Sequence, residues 1–174
     1  MTADAVLIRA VRHNTWANLE LLAFCAALTA EQLAWTTPGT YGTLHSTLHH
    51  IVGAEHGYLH GLTGLRPPIE TERGGRAMTP DWQAPITELI ERARSNGERL
   101  VAVLDGELDP ARMIKRPSGA IAAAAIIVAQ YLHHGSDHRA HVGTILGAHG
   151  VAGPNLDVWA YGRSTGEVIP PPAS

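Results

Sequence analysis

Tyr131–Val142 reads YLHHGSDHRAHV and sets four histidines inside a long apolar pattern. Ile126, Ile127, Ala129 and Leu132 precede the cluster, and Val142, Ile145 and Leu146 follow it, at helical rather than strand spacing. The histidines therefore belong on a helix. One turn apart on that helix, His134 and His138 can aim both imidazoles at a single atom, and His141 extends the row. Two such imidazoles make half of a tetrahedral metal site, so a further ligand has to come from another part of the chain.

Outward from this stretch the chain divides into three more helical patterns. Upstream, Ile86, Leu89, Ile90, Ala93, Leu100, Val101 and Leu104 form one face of a helix opening at Pro80 or Asp81. Glu88, Glu91, Arg92, Arg94, Glu98 and Arg99 fall on its solvent side. Asp105–Ser118 reads as a polar connection, with Ser118 capping the histidine helix over about residues 119–149. Residues 65–81, with Pro67, Pro68, Gly74, Gly75 and Pro80, form the longest irregular connection, of the kind that crosses a bundle end or covers a site. Before it, Thr43 caps a helix that runs to about Thr63 and buries Leu44, Leu48, Ile51, Tyr58, Leu59 and Leu62. The first pattern, Ala5–Leu28, is amphipathic and leads through a short helical turn at Thr29 to loop chemistry at Thr36–Gly39. Four such patterns predict an all-α fold, an antiparallel four-helix bundle with long connections. It is expected as one domain over residues 1–165, with a flexible, irregular C-terminal tail at 166–174.

Composition narrows the class. A chain of 174 residues can bury a real core in one domain, and its apolar content is largely Ala, Leu, Val and Ile, which suits closely packed helices. Lys and Arg number 13 against 16 Asp and Glu, with no basic block, so no nucleic-acid partner is expected. No run is long and apolar enough for a membrane span and no signal pattern opens the chain, so a cytoplasmic location is expected. Cys25 is the only cysteine, excludes an intrachain disulfide, and sits among Leu21, Leu22, Phe24 and Leu28 as a core residue. His13, Asn14 and Trp16 either line a pocket or anchor the core.

The second helix offers His45, His49, His50, His56 and His60. His50 lies at the edge of the buried stripe, beside Ile51 and Ala54. His45 with His49, and His56 with His60, also stand one turn apart, so spacing alone permits other pairs. His50 with His134 and His138 would supply three neutral nitrogens and leave a position for water or substrate, the layout of a reactive rather than a closed structural site. The H-x-x-x-H spacing is shared with the H-E-x-x-H metalloproteases, but Gly135 stands where their general base would be, which argues against a protease of that type. Gly135 costs about 1 kcal/mol of helix propensity, a loss explained by close helix approach or by room above a metal. Glu55 and Asp137 are the candidate catalytic carboxylates, either holding the far nitrogen of a ligand imidazole or accepting a proton from metal-bound water. The competing reading makes Asp137 an exposed partner of Arg139 and Glu55 a solvated helix residue.

His50-Ile-Val-Gly-Ala-Glu-His-Gly-Tyr-Leu and His134-Gly-Ser-Asp-His138-Arg139 resemble the two histidine motifs of the DinB/YfiT-like metal-dependent four-helix-bundle family. Asn14-Thr-Trp16-Ala-Asn18 and Leu156-Asp157-Val-Trp159-Ala-Tyr161 extend the resemblance over essentially the whole chain. It implies a bundle, commonly a homodimer, that binds a divalent metal through one histidine of the second helix and two of the last, here His50, His134 and His138. Members include transferases and isomerases that act with low-molecular-weight thiols such as bacillithiol or mycothiol, and hydrolases. The chain departs from the family pattern at Ala140-His141, where many members carry Gln in second place. The expectation is therefore a metal-dependent enzyme that activates a thiol cosubstrate or water toward a small-molecule substrate. The ion is zinc or nickel first, then manganese or iron. The alternative is a non-catalytic helical dimer, or a stress-response binding protein with a structural metal.

Overall fold

Apolar residues three and four apart leave four long segments each with one face to bury, and those faces meet in a bundle. The computed structural model describes residues 5–64, 84–106, 108–116 and 118–169. In chain order, helix α1 spans Ala5–Cys25, α2 Ala30–Leu33, α3 Leu44–Thr63 and α4 Ile86–Asp105. Strands β1 (Met113–Lys115) and β2 (Ile121–Ala123) follow, then α5 (Ala124–Ala148) and α6 (Val158–Ser164). α1 packs most heavily on α4 and α3 on α5, with α3–α4 and α1–α5 contacts closing the ring.

The core is two apolar clusters separated by a polar layer. One holds Leu21, Leu22 and Cys25 of α1, Leu44, Leu48 and Val52 of α3, Leu89 and Ala93 of α4, and Ile145 and Leu146 of α5. The other holds Ile8 and Val11, Tyr58 and Leu59, Leu100 and Leu104, and Ile127 and Tyr131 of the same four helices. Between them each helix contributes buried polar side chains: Asn14 and Asn18, Glu55, Asn96, and then His134, His138 and Arg139. The order in which each helix crosses the clusters shows α1 and α5 running one way and α3 and α4 the other. The two most heavily packed pairs, α1–α4 and α3–α5, are thus antiparallel. Asn96 donates to the Val52 carbonyl at 3.1 Å, tying α4 to α3 in this layer.

Local chemistry explains most boundaries. Thr43 accepts from the Ser46 amide as the α3 N-cap, and Gly64 ends that helix at a left-handed φ of 71°. Thr29 and Gln32 form a reciprocal capping box around α2. The polar connection expected at Asp105–Ser118 contains instead half of a small antiparallel hairpin, β1 with β2, in the register Ile114 with Ala122. Ser118 does not cap the fourth helix, which begins at Ala124 after an extended Ala123. An alanine run reads as helix by propensity, but the turn at Arg116, where its amide donates to the Ala120 carbonyl at 2.7 Å, pairs Ile121–Ala123 with β1 first. The connection at 65–81 and the helix start expected at Pro80 or Asp81 lie outside the described residues, and α4 begins at Ile86.

As far as it is described, the C-terminal segment folds back on the bundle. Asp157 caps α6 through the Ala160 amide, and the amides of Glu167 and Val168 both donate to the Gly162 carbonyl. Glu167 pairs with Arg9 at 2.6 Å, and His13 bonds the Leu156 carbonyl at 2.9 Å. His13 and Trp16 both lie against Tyr161, so these α1 residues dock α6 on the bundle. Residues 170–174 lie outside the described range. Cys25 is fully buried in the first cluster, as expected, and burial pushes its thiol up to about 12. No described helix is long and apolar enough to cross a membrane.

α4 meets α1 closely at Gly97, where an added Cβ would stand 2.1 Å from the Thr15 hydroxyl oxygen of α1. Gly97→Ala gains helix propensity but drives the two helices apart, and is expected to cost about 1–3 kcal/mol net. Urea denaturation checks this; an unchanged or raised midpoint would contradict so close a contact.

Candidate metal centre

At the level of the polar layer α3 and α5 face each other with imidazoles. His50 lies midway along α3, and His134 and His138 one turn apart on α5. The Nε2 atoms of His50 and His134 are 3.0 Å apart. Ring centroids are separated by 4.7 Å for His50–His134, 4.7 Å for His50–His138 and 4.4 Å for His134–His138. Each ring offers one nitrogen, and the three nitrogens all lie within 4.8 Å of one another. Two nitrogens on one tetrahedral zinc ion stand ~3.3 Å apart, so the His50–His134 spacing suits a shared cation. Facing lone pairs at this distance repel unless a proton or a cation lies between them. The donor set fits a divalent ion.

Burial keeps these rings in the form a metal needs. His134 and His138 are almost fully buried and His50 is half-buried. Desolvation first, and then the neighbouring imidazoles His138 and His49, hold His50 down to about 4. Burial followed by His138 and His50 does the same for His134, also to about 4. His138 is lowered by burial and by His141, against the opposing carboxylate of Asp137. Neutral nitrogens at ordinary pH are ligands; protonated ones are not. Tyr41, from the loop before α3, stacks on the His50 ring at 4.0 Å and meets His138 edge-on at 5.1 Å. Nothing in the sequence singled it out, because the contact depends on how that loop lies over α3.

The other flank of α5 explains why the two histidines point as they do. Arg139 Nη1 donates to the side-chain oxygens of Asn14 and Asn18, both at 2.7 Å. The amide nitrogens of the same two asparagines donate to Glu55 Oε1, again both at 2.7 Å. A guanidinium on α5, two amides on α1 and a carboxylate on α3 thus form one buried relay. Gly135 makes room for it: a Cβ there would stand 2.5 Å from Asn14 Oδ1 and 3.0 Å from Arg139 Nη1. Close helix approach is the reason for this glycine.

The structure places the other expected residues as follows. Glu55 is not solvated but 1% exposed, held in the relay beside Arg139 and Tyr131. Asp137 is exposed, as the competing reading had it, but Arg139 turns to the asparagines and is not its partner. The Nδ1 atoms of His134 and His138 are buried with no hydrogen-bond partner, so neither Glu55 nor Asp137 holds them. His45 bonds the Ala84 carbonyl at 2.8 Å, and His60 and His133 are exposed. None of these three belongs to either group of convergent donors among the described residues.

A family model described as the DinB family matches residues 1–170. Among solved structures the fold is similar to that of a DinB-like protein from Bacillus cereus, with a TM-score of 0.67 and 20% sequence identity. The match covers 88% of this chain and 97% of that one. At that identity the likeness concerns the fold alone. No curated protein matches the chain.

Glu55 generates a pH dependence of its own. Burial outweighs the two asparagine bonds and the Arg139 charge, and raises its carboxyl from 4.5 to about 7. The folded protein then keeps a proton that the unfolded chain releases, so this group's contribution to stability is full below 4.5 and is lost as pH rises through 7. In chelator, Glu55→Gln is expected to gain on the wild type in urea midpoint across that window and to level off above it. A difference independent of pH would show that the relay keeps the carboxylate charged.

Proposed function

The chain belongs to the DinB family, and from that premise we propose that it is a metal-dependent enzyme. It would activate a low-molecular-weight thiol or water for transfer to, or hydrolysis of, a small electrophilic molecule. One observation carries this reading: three desolvated imidazoles from two helices converge within 4.8 Å, a set too small to fill the shell of a divalent ion. His50, His134 and His138 would hold the ion. When bound, it supplies a Lewis acid that lowers the pKa of a thiol or water in the remaining position.

The chain's own groups do the rest. Arg139, Asn14, Asn18 and Glu55 fix the rotation of α5 against α1 and α3, and so keep His134 and His138 aimed inward without touching substrate. Tyr41 lies across His50 and keeps one side of the site from bulk water. Asp137 is the carboxylate positioned to take up a released proton, since it lies beside His138 and open to solvent. Glu55, sealed within the relay, acts as a positioning residue. Zinc and nickel suit an all-imidazole set best, with manganese and iron behind them.

The test is metal analysis of protein purified without a histidine tag. Assays with bacillithiol, mycothiol or glutathione against a simple electrophile, and for hydrolysis without thiol, follow. One divalent ion per chain is expected, with His138→Ala losing both the ion and any turnover. Apoprotein that takes up neither zinc, nickel nor manganese would remove the reading. If His50→Ala instead lowers the melting temperature of a metal-loaded protein that turns over nothing, the ion is structural.

A further inference from the structure

α5 carries a second set of convergent donors beside the first. Asp137 and His141 stand one turn apart with His138 between them, and one ligand atom from each lies within 4.8 Å of the others. The rings of His138 and His141 meet edge to face at 5.0 Å. His138 is 8% exposed, and the Nδ1 atoms of both His138 and His141 are buried without a hydrogen-bond partner. A buried nitrogen left without a partner is unfavourable, and two of them side by side mark a place suited to a bound group. The third donor, Asp137, is exposed and carries a negative charge that a cation arriving from water meets first.

We propose that Asp137, His138 and His141 form an outer divalent-cation site that shares His138 with the inner set of His50 and His134. A neutral imidazole has a lone pair on one nitrogen and a proton on the other, so one His138 ring serves one ion at a time. Occupancy of the two sites is therefore exclusive, and the outer set works as a loading position. An ion is captured where a carboxylate reaches solvent. It then exchanges Asp137 and His141 for His50 and His134, the ring proton of neutral His138 passing from Nε2 to Nδ1 as the donor nitrogen changes, with no change of oxidation state and no net release of a proton. The sharing of His138, the exclusive occupancy and the destination of the ion rest on the reading of the inner site above; the outer donor set does not.

Equilibrium dialysis with zinc alone and with manganese alone tests the site. The proteins are wild type, His50→Ala/His134→Ala, His141→Ala, and the triple variant, each checked for helix content by circular dichroism. Wild type is expected to bind one ion, the double variant one ion more weakly, and the triple variant none. His141→Ala should retain one ion but load it more slowly in stopped flow. Wild type binding one ion while the double variant binds none overturns the outer site and leaves the inner one standing. A double variant that binds as tightly as wild type, with binding lost in the triple, supports the outer site and removes the inner. Two ions on wild type overturn the sharing of His138. Should the double variant not fold, loading at the wild-type rate by Asp137→Asn/His141→Ala overturns the proposal.

Discussion

The bundle is organised by the relay from Arg139 through Asn14 and Asn18 to Glu55. A guanidinium and a carboxyl group are sunk in a helical core, where desolvation works against both charged forms: it raises Glu55 and lowers Arg139. They are tolerated because the two asparagine amides bridge them, accepting from one and donating to the other. Leaving any member unpaired would cost on the order of 1–3 kcal/mol, more for the charged ones. That penalty fixes register. Sliding α1 by one turn would set Asn14 and Asn18 against apolar side chains, and rotating α5 would withdraw Arg139, so neither helix can drift without exposing the other's polar groups.

The histidine centre inherits its geometry from this constraint. His134 and Gly135 are adjacent, as are His138 and Arg139, so α5 alternates between a side chain for the centre and a group for the relay. Fixing one flank of the helix aims the other. The two apolar clusters above and below then supply the bulk of the burial and hold the polar layer at mid-height. The low proton affinity of the imidazoles follows from the same placement, since residues far from the bundle ends lose water on most sides.

Much of this was legible in the sequence because helical period, caps and histidine spacing are local. Thr43 and Gly64 mark the ends of α3 as written, and the i, i+4 pair on α5 announces two candidate ligands before any fold is known. His50 is brought to that pair rather than His45, which the fold commits to the Ala84 carbonyl. Less local features were hidden. The β1–β2 hairpin is short, and its second strand is an alanine-rich run whose propensity favours helix. From its own neighbours Glu55 reads equally as a catalytic carboxylate or a solvated helix residue, and neither reading buries it. Only the asparagines of another helix, some forty positions away, show otherwise. Tyr41 was invisible for a similar reason.

The sealing of Cys25 has a consequence outside the metal centre. With its side chain fully enclosed and its thiol held near 12, the single cysteine presents almost no thiolate to solvent while the bundle is intact. Alkylating reagents can reach it only when α1 lifts from the core, so its labelling is a clock on helix opening. The thiol is thereby spared alkylation and oxidation for as long as the bundle stays folded.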